Sequence, residues 1–208
     1  MARVGAELRR RDFVEATVRV IAEHGAAGAT TRRIAAEVGC PLATLHYVFH
    51  TKEDLFYAVY ESLLEEAQTL TSGGDRALPL REAVPAHLRR LMQWMAANRH
   101  FARAQAELFN WSLRFNPELA RRSYELTLDL ARGALKEARD GATRPDLTEA
   151  MARLTLVLID GLLTAWFSHG EEQQLMADTE VACRTLAALV DAWPAAETGK
   201  RSRKTATA

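Results

Sequence analysis

Apolar residues recur three and four positions apart along most of the chain, a spacing that predicts helices almost throughout. In "LRRRDFVEATVRVIAEHG" Phe13, Val14, Thr17, Val18 and Ile21 share one face, and Gly25 ends the segment. "TTRRIAAEVG" predicts a short second helix, capped by Thr30 or Thr31, with Ile34, Ala35 and Val38 turned inward. "CPLATLHYVF" predicts a third, with Leu45 and Phe49 on its inner face. "TKEDLFYAVYESLLEEAQTL" predicts a long fourth, opened by Thr51, with Glu53 and Asp54 at the positive end of its dipole. "SGGD" (72–75) ends it. Further helices follow at roughly 79–97, 99–114, 117–139, 147–169 and 175–193, separated by Pro79, Pro117, "DGATRP" and "HGEEQQ". Pro85 falls early in the first of these, where a proline kinks a helix or moves its start. Sustained period-two alternation and internal repeats are both absent from the sequence. The fold class is therefore all-α, with about nine helices.

The second and third helices are too short to stand alone, and Gly39 joins them through a tight turn. Glycine ends a helix in the left-handed conformation without steric cost. Two short helices joined in this way form a helix-turn-helix. With Leu45 and Phe49 turned inward, Thr44, His46 and Tyr47 point elsewhere, and Leu42 and Ala43 stand at the exposed N-terminal end. That end of a recognition helix reaches base edges in the major groove. Thr44 and His46 offer hydrogen bonds, Tyr47 a ring and a hydroxyl, and Leu42 and Ala43 apolar contact for a thymine methyl.

Charge sharpens this division. The net charge is zero, but residues 1–52 sum to +3, residues 53–196 to −6 and residues 197–208 to +3. A basic N-terminal module suits a polyanion, although solvated surface charge gives the same sum. The predicted organisation is a helix-turn-helix unit over 1–52, a helical ligand-binding and dimerisation domain over 53–196, and a disordered basic tail over 197–208.

Composition narrows the class. The chain has 208 residues, 48% of them apolar and 26% charged, as expected for a soluble globular protein. Cys40 and Cys183 are the only cysteines and form no motif, which suggests a reducing compartment. The N-terminus lacks the order of a signal peptide. The longest apolar run, Leu154–Phe167, is broken by Asp160 and is too short to span a bilayer. A cytoplasmic protein without membrane contact is expected. His46, His50 and Cys40 lie close in sequence but lack a fourth ligand, so no structural metal site is expected. No cofactor is implied.

The N-terminal residues carry a resemblance. "TTRRIA", then "G-x-x-x-A-T-L-x-Y-x-F", then "T-K-E-D-L" resemble the DNA-binding domain of the TetR family of one-component bacterial repressors, over about residues 8–60. The resemblance implies a homodimer, a double-stranded DNA operator and an unidentified small-molecule inducer held in the C-terminal domain. It places Thr44 at the family's threonine near the start of the recognition helix and Tyr47 at an aromatic position used on bases or phosphates. It also places Lys52 and Thr31 at phosphate-contacting positions. Arg32 and Arg33 fall near the duplex, and Arg9, Arg10 and Arg11 either follow phosphates or form a solvated helix start. Three positions depart from the family: His46 replaces a tyrosine, Pro41 a capping serine, and Val48 a histidine or tyrosine.

The C-terminal half is less explicit. Core packing is the default for its aromatic residues, but Trp94, Gln105, Phe109, Trp111 and Tyr124 are candidate pocket residues, because pockets are apolar with a few placed polar groups. Asp160, alone in its apolar run, is a candidate for a cationic ligand group or for an internal ion pair. A helix apolar nearly all round needs burial on several sides. Leu154, Leu158, Leu162 and Trp166, with Leu186, Leu189 and Val190 of the last helix, are therefore the predicted dimer interface.

The function that follows is a DNA-binding transcriptional regulator: a homodimeric repressor released from an inverted-repeat operator by an inducer. A ligand-independent or activating DNA-binder keeps the N-terminal argument and drops the pocket. An α-helical enzyme is the distant third, since nucleophile–base pairs, phosphate loops and HExxH are all missing.

Overall fold

The computed structural model describes residues 2–71 and 77–194. The "SGGD" stop and the basic tail lie outside the described residues. Within them the chain forms nine α-helices and no strand: α1 (Ala2–Gly28), α2 (Thr31–Val38), α3 (Leu42–Val48), α4 (Lys52–Thr71), α5 (Leu80–Ala97), α6 (Arg99–Phe115), α7 (Pro117–Lys136), α8 (Pro145–His169) and α9 (Glu172–Ala192). A short 3-10 turn, Gly141–Thr143, precedes α8.

Local chemistry sets the boundaries. At Gly25, φ is 69°, which breaks the helical path of α1. Of the two cap candidates for α2, the structure uses Thr30, whose hydroxyl accepts the Arg33 amide at 3.2 Å. Gly39 ends α2 with φ of 72°, a left-handed conformation that a side chain occupies only with strain. At the start of α4 the Thr51 hydroxyl accepts the Asp54 amide at 3.0 Å, and the Asp54 carboxylate accepts the Thr51 amide at 3.1 Å. This reciprocal pair closes two open amides of the first turn. Pro85 sits within α5 rather than before it.

Two apolar clusters organise the helices. The first joins α1, α2, α3 and α4 as far as Leu64 around Phe13, Ile21, Ile34, Leu45, Phe49 and Phe56, and takes Leu108 from α6 and Leu119 from α7. The second joins α5, α7, α8 and α9 around Leu88, Met92, Met151, Trp166 and Leu186. The first cluster therefore runs past residue 52 into Leu55, Val59, Tyr60 and Leu64, and it ties α1 to α6.

α8 corrects two expectations. The apolar run belongs to a helix of 25 residues, long and apolar enough by length and composition to cross a membrane. Its Met151, Ala152, Thr155, Leu156, Ile159, Leu162, Leu163 and Trp166 are instead buried in the protein. Among the predicted interface residues, Leu162, Trp166, Leu186 and Val190 are buried in the chain's own core. They lie on the inward stripes of α8 and α9, so they are not open to a partner. The outward stripe of α8 carries Leu154, Val157, Leu158, Gly161 and Ala165, all open or half-open. Val157 is 61% exposed, and Val181 on α9 is 53% exposed. Spacing within the run separates these stripes, but an apolar count along it does not.

Candidate nucleic-acid interface and effector cluster

Packing from one side orients α3. Leu45 and Phe49 are buried, Phe49 edge-on against Phe13, so the opposite side of this seven-residue helix must face out. Tyr47 is 82% exposed, far above what a core role allows. Ala43 and His46 are exposed beside it, Thr44 is half-exposed, and Leu42 is half-buried against the first cluster. On α2, Arg32 is exposed and Thr31 half-exposed, while the Arg33 guanidinium donates to the Gly28 carbonyl at 2.6 Å. Predicted DNA-facing residues of α2 and α3 thus share the outer surface of one helix-turn-helix. The proline start of α3 has no side-chain capping bond.

Lys52 differs from the expectation of an outward phosphate ligand. Its ammonium lies 4.6 Å from the Phe56 ring centroid and 5.2 Å from that of Trp111, and it donates to the Ala26 carbonyl at 3.4 Å. Two negative ring faces and a carbonyl offer a partly dry seat for a cation. Burial lowers its pKa, with Glu53 opposing the shift more weakly.

The candidate effector residues divide. Tyr60 on α4 is buried, with Thr127 of α7 and Gln105 of α6 as polar neighbours of its hydroxyl. Burial pushes its pKa up strongly; Thr127 opposes this, Asp160 of α8 adds to it, and Gln105 opposes it. Phe109 packs at 6.4 Å from the Tyr60 ring. Asp160 keeps solvent access on one side, while the protein atoms on its other side desolvate the carboxyl and raise its pKa. Gln105, Phe109 and Asp160 therefore gather around Tyr60, which together with Thr127 the sequence reasoning missed. The signal was Tyr60 itself, a hydroxyl four residues after Phe56 on an apolar stripe. The other candidates are held elsewhere. Trp111 packs edge-on against Phe56 at 5.2 Å, Trp94 lies against Phe101 at 5.9 Å, and Tyr124 packs on the second cluster.

Comparison with known proteins joins these observations. The model for bacterial regulatory proteins of the tetR family matches residues 13–59, the stretch that builds the helix-turn-helix. Over 173 residues the chain is 30% identical to the HTH-type nicotine-responsive transcriptional repressor HdnoR of Paenarthrobacter nicotinovorans, covering 80% of this chain and 87% of that one. The chain belongs to the TetR family. A second relative, an HTH-type transcriptional repressor of Mycobacterium tuberculosis, is 27% identical over 174 residues, covering 81% of this chain and 87% of its own. The fold matches that of a transcriptional regulator from Rhodococcus sp. Rha1 with a TM-score of 0.70 at 22% identity, over 86% of this chain and 96% of that one. This TetR-family chain is a DNA-binding transcriptional regulator and not an enzyme.

Proposed function

We propose that the chain is a homodimeric repressor that leaves an inverted-repeat operator when a small molecule bearing a cationic group binds near Tyr60 and Asp160. The observation that carries the ligand is the buried Tyr60 of α4, packed by Phe109, with Thr127 and Gln105 as polar neighbours and the charge of Asp160 acting on it. A raised carboxyl pKa marks an anion short of hydration, which a ligand cation would supply with a partner. The nicotine-responsive relative supports a nitrogenous effector.

The dimer reading rests on the outward apolar stripes of α8 and α9, with Leu154, Val157, Leu158, Val181 and Leu189. Pairing both helices with their symmetry mates gives a four-helix contact. Two copies of α3 then face two half-sites one helical turn or a multiple apart. Thr31, Arg32, Ala43, Thr44, His46 and Tyr47 are the proposed DNA contacts, with Leu42 marginal and Lys52 joining when it leaves its aromatic seat. α4 links the sites, since Lys52 and Tyr60 lie two turns apart on it. A ligand that prefers a shifted α4 weakens DNA binding, and the coupling is reciprocal.

Thermal-shift screening of tertiary and quaternary amines against carboxylates of similar size identifies the ligand class. An operator titration at saturating hit then tests release. The expected weakening is about 5–150-fold. Unchanged operator affinity at saturation rejects the release mechanism.

A further inference from the structure

A second polar site lies outside the effector cluster. A cleft of about 290 Å³ opens between the end of α3 and the side of α7, lined by Arg10, Phe49, His50, Asp54, Tyr57 and Arg122 among others. It joins the helix-turn-helix unit to a helix of the C-terminal half.

Both of its arginines rest against aromatic rings. The Arg122 guanidinium stacks 4.0 Å from the centroid of the Tyr57 ring. Its neighbour Arg121 takes the nearby carboxylates of α7, with Glu118 at 2.8 Å and Glu125 at 2.7 Å. Arg122, about 100° further round the helix, lies over a ring. Arg10 lies 5.0 Å from the Phe49 ring centroid and reaches Glu61 only at 3.6 Å. A guanidinium stacked on a ring keeps its N–H edge free for a planar or tetrahedral oxyanion. The acidic group of the cleft, Asp54, is already bonded to the Thr51 amide at the head of α4.

We infer that this cleft is an oxyanion site for a phosphate group, anchored by Arg122 with Arg10 opposite and His50 at its rim. The phosphate belongs either to the DNA backbone beside the recognition helix, since His50 directly follows the end of α3, or to a free phosphate-bearing molecule. In both cases the anion bridges the DNA-binding unit and α7, and so fixes the angle between them. The site goes beyond the proposed repressor function and does not depend on the effector cluster.

The full chain and its Arg122→Gln, Arg122→Lys, Arg10→Gln and Arg121→Gln variants are compared in buffer free of phosphate and sulfate at constant ionic strength. Arg121→Gln removes the same charge from the adjacent position of α7, outside the cleft lining. One arm titrates inorganic phosphate and pyrophosphate and follows the melting temperature. The other measures affinity for a random-sequence duplex of about 30 base pairs against salt, chosen so that all DNA contacts here are phosphate contacts.

A free-phosphate site gives saturable stabilisation of the wild type that disappears in Arg122→Gln and Arg10→Gln and persists in Arg121→Gln. A DNA-backbone site gives about tenfold weaker duplex binding in Arg122→Gln, with a log-affinity against log-salt slope lower by about 0.9 per subunit. Arg122→Lys recovers part of either effect, because it restores the charge without the fork. The inference is overturned if neither arm separates Arg122→Gln from Arg121→Gln.

Discussion

The Lys52 ammonium lies 5.2 Å from the centroid of the Trp111 ring, so the residue that begins α4 is seated on α6. A cation on two ring faces gives up part of its hydration for quadrupole attraction, worth about 0.5–2 kcal/mol depending on exposure. A DNA phosphate competes for the same charge. The seat therefore sets how much of the lysine's charge reaches the duplex.

Trp111→Leu should release Lys52 and strengthen binding to random-sequence DNA by about two- to tenfold, within the energy of the seat. Lys52→Ala should then cost more affinity in the Trp111→Leu background than in the wild type. A double-mutant cycle measured at two salt concentrations reads this coupling directly. Equal losses in both backgrounds would show that the lysine reaches phosphate regardless of the tryptophan.

Much of this arrangement was legible because the relevant signals are local. Gly39 marks the turn, the four-residue step from Leu45 to Phe49 fixes the inner face of α3, and the outward Tyr47 follows from that step. The seat of Lys52 was not legible. It depends on Trp111, 59 positions away, and nothing in the spacing of α6 separates that tryptophan from a pocket residue. The Tyr60 cluster has the same character, since its members come from four helices and meet only through packing. The two stripes of α8 were visible in principle at three- and four-residue spacing, but the uniform apolar character of the run hid which side the protein itself covers.

The raised Asp160 pKa gives the effector reading a pH signature. A cationic ligand binds the ionised carboxylate, so affinity should rise with pH as Asp160 deprotonates, at a higher pH than an ordinary aspartate. For a permanently charged quaternary amine the rise should end in a plateau. Asp160→Asn should lose at least about tenfold in affinity for such a ligand, as expected for one charge-assisted contact, and its remaining binding should be flat across the same range. Calorimetric titrations at several pH values measure both. A wild-type affinity independent of pH would remove Asp160 from the site.

Acid stability should depend on Glu149, which bridges Arg132 of α7 and Arg153 of α8. The hydrogen bond from Arg132 is the main reason its pKa falls to about 2, with the Arg153 bond adding to it. A carboxylate lowered in the folded state stabilises the fold above its ordinary pKa, and that contribution is lost as pH falls toward the lowered value. Glu149→Gln should therefore flatten the decline of the melting temperature between about pH 4.5 and 2, with a matching modest loss of stability at neutral pH, because the ion pair is half-exposed. A decline as steep as the wild type's would assign acid sensitivity to other carboxylates.

The proposed dimer contact separates cleanly from the protomer core, because neighbouring residues of one helix face opposite ways. Val157 is 61% exposed, whereas Leu162 is 8% exposed within the second cluster. An arginine at 157 remains hydrated in the isolated protomer and meets apolar surface only in a dimer. An arginine at 162 must enter the core unpaired, which costs several kcal/mol even after relaxation. Val157→Arg should thus yield a folded monomer in sedimentation at micromolar concentration, with helix content preserved. Leu162→Arg should yield little folded protein at all. The Val157→Arg monomer should also lose cooperative binding to an inverted repeat, since two recognition helices no longer arrive at a fixed separation. A Val157→Arg protein that sediments as a dimer would place the contact on another face. A wild type monomeric at the same concentration would remove the dimer altogether.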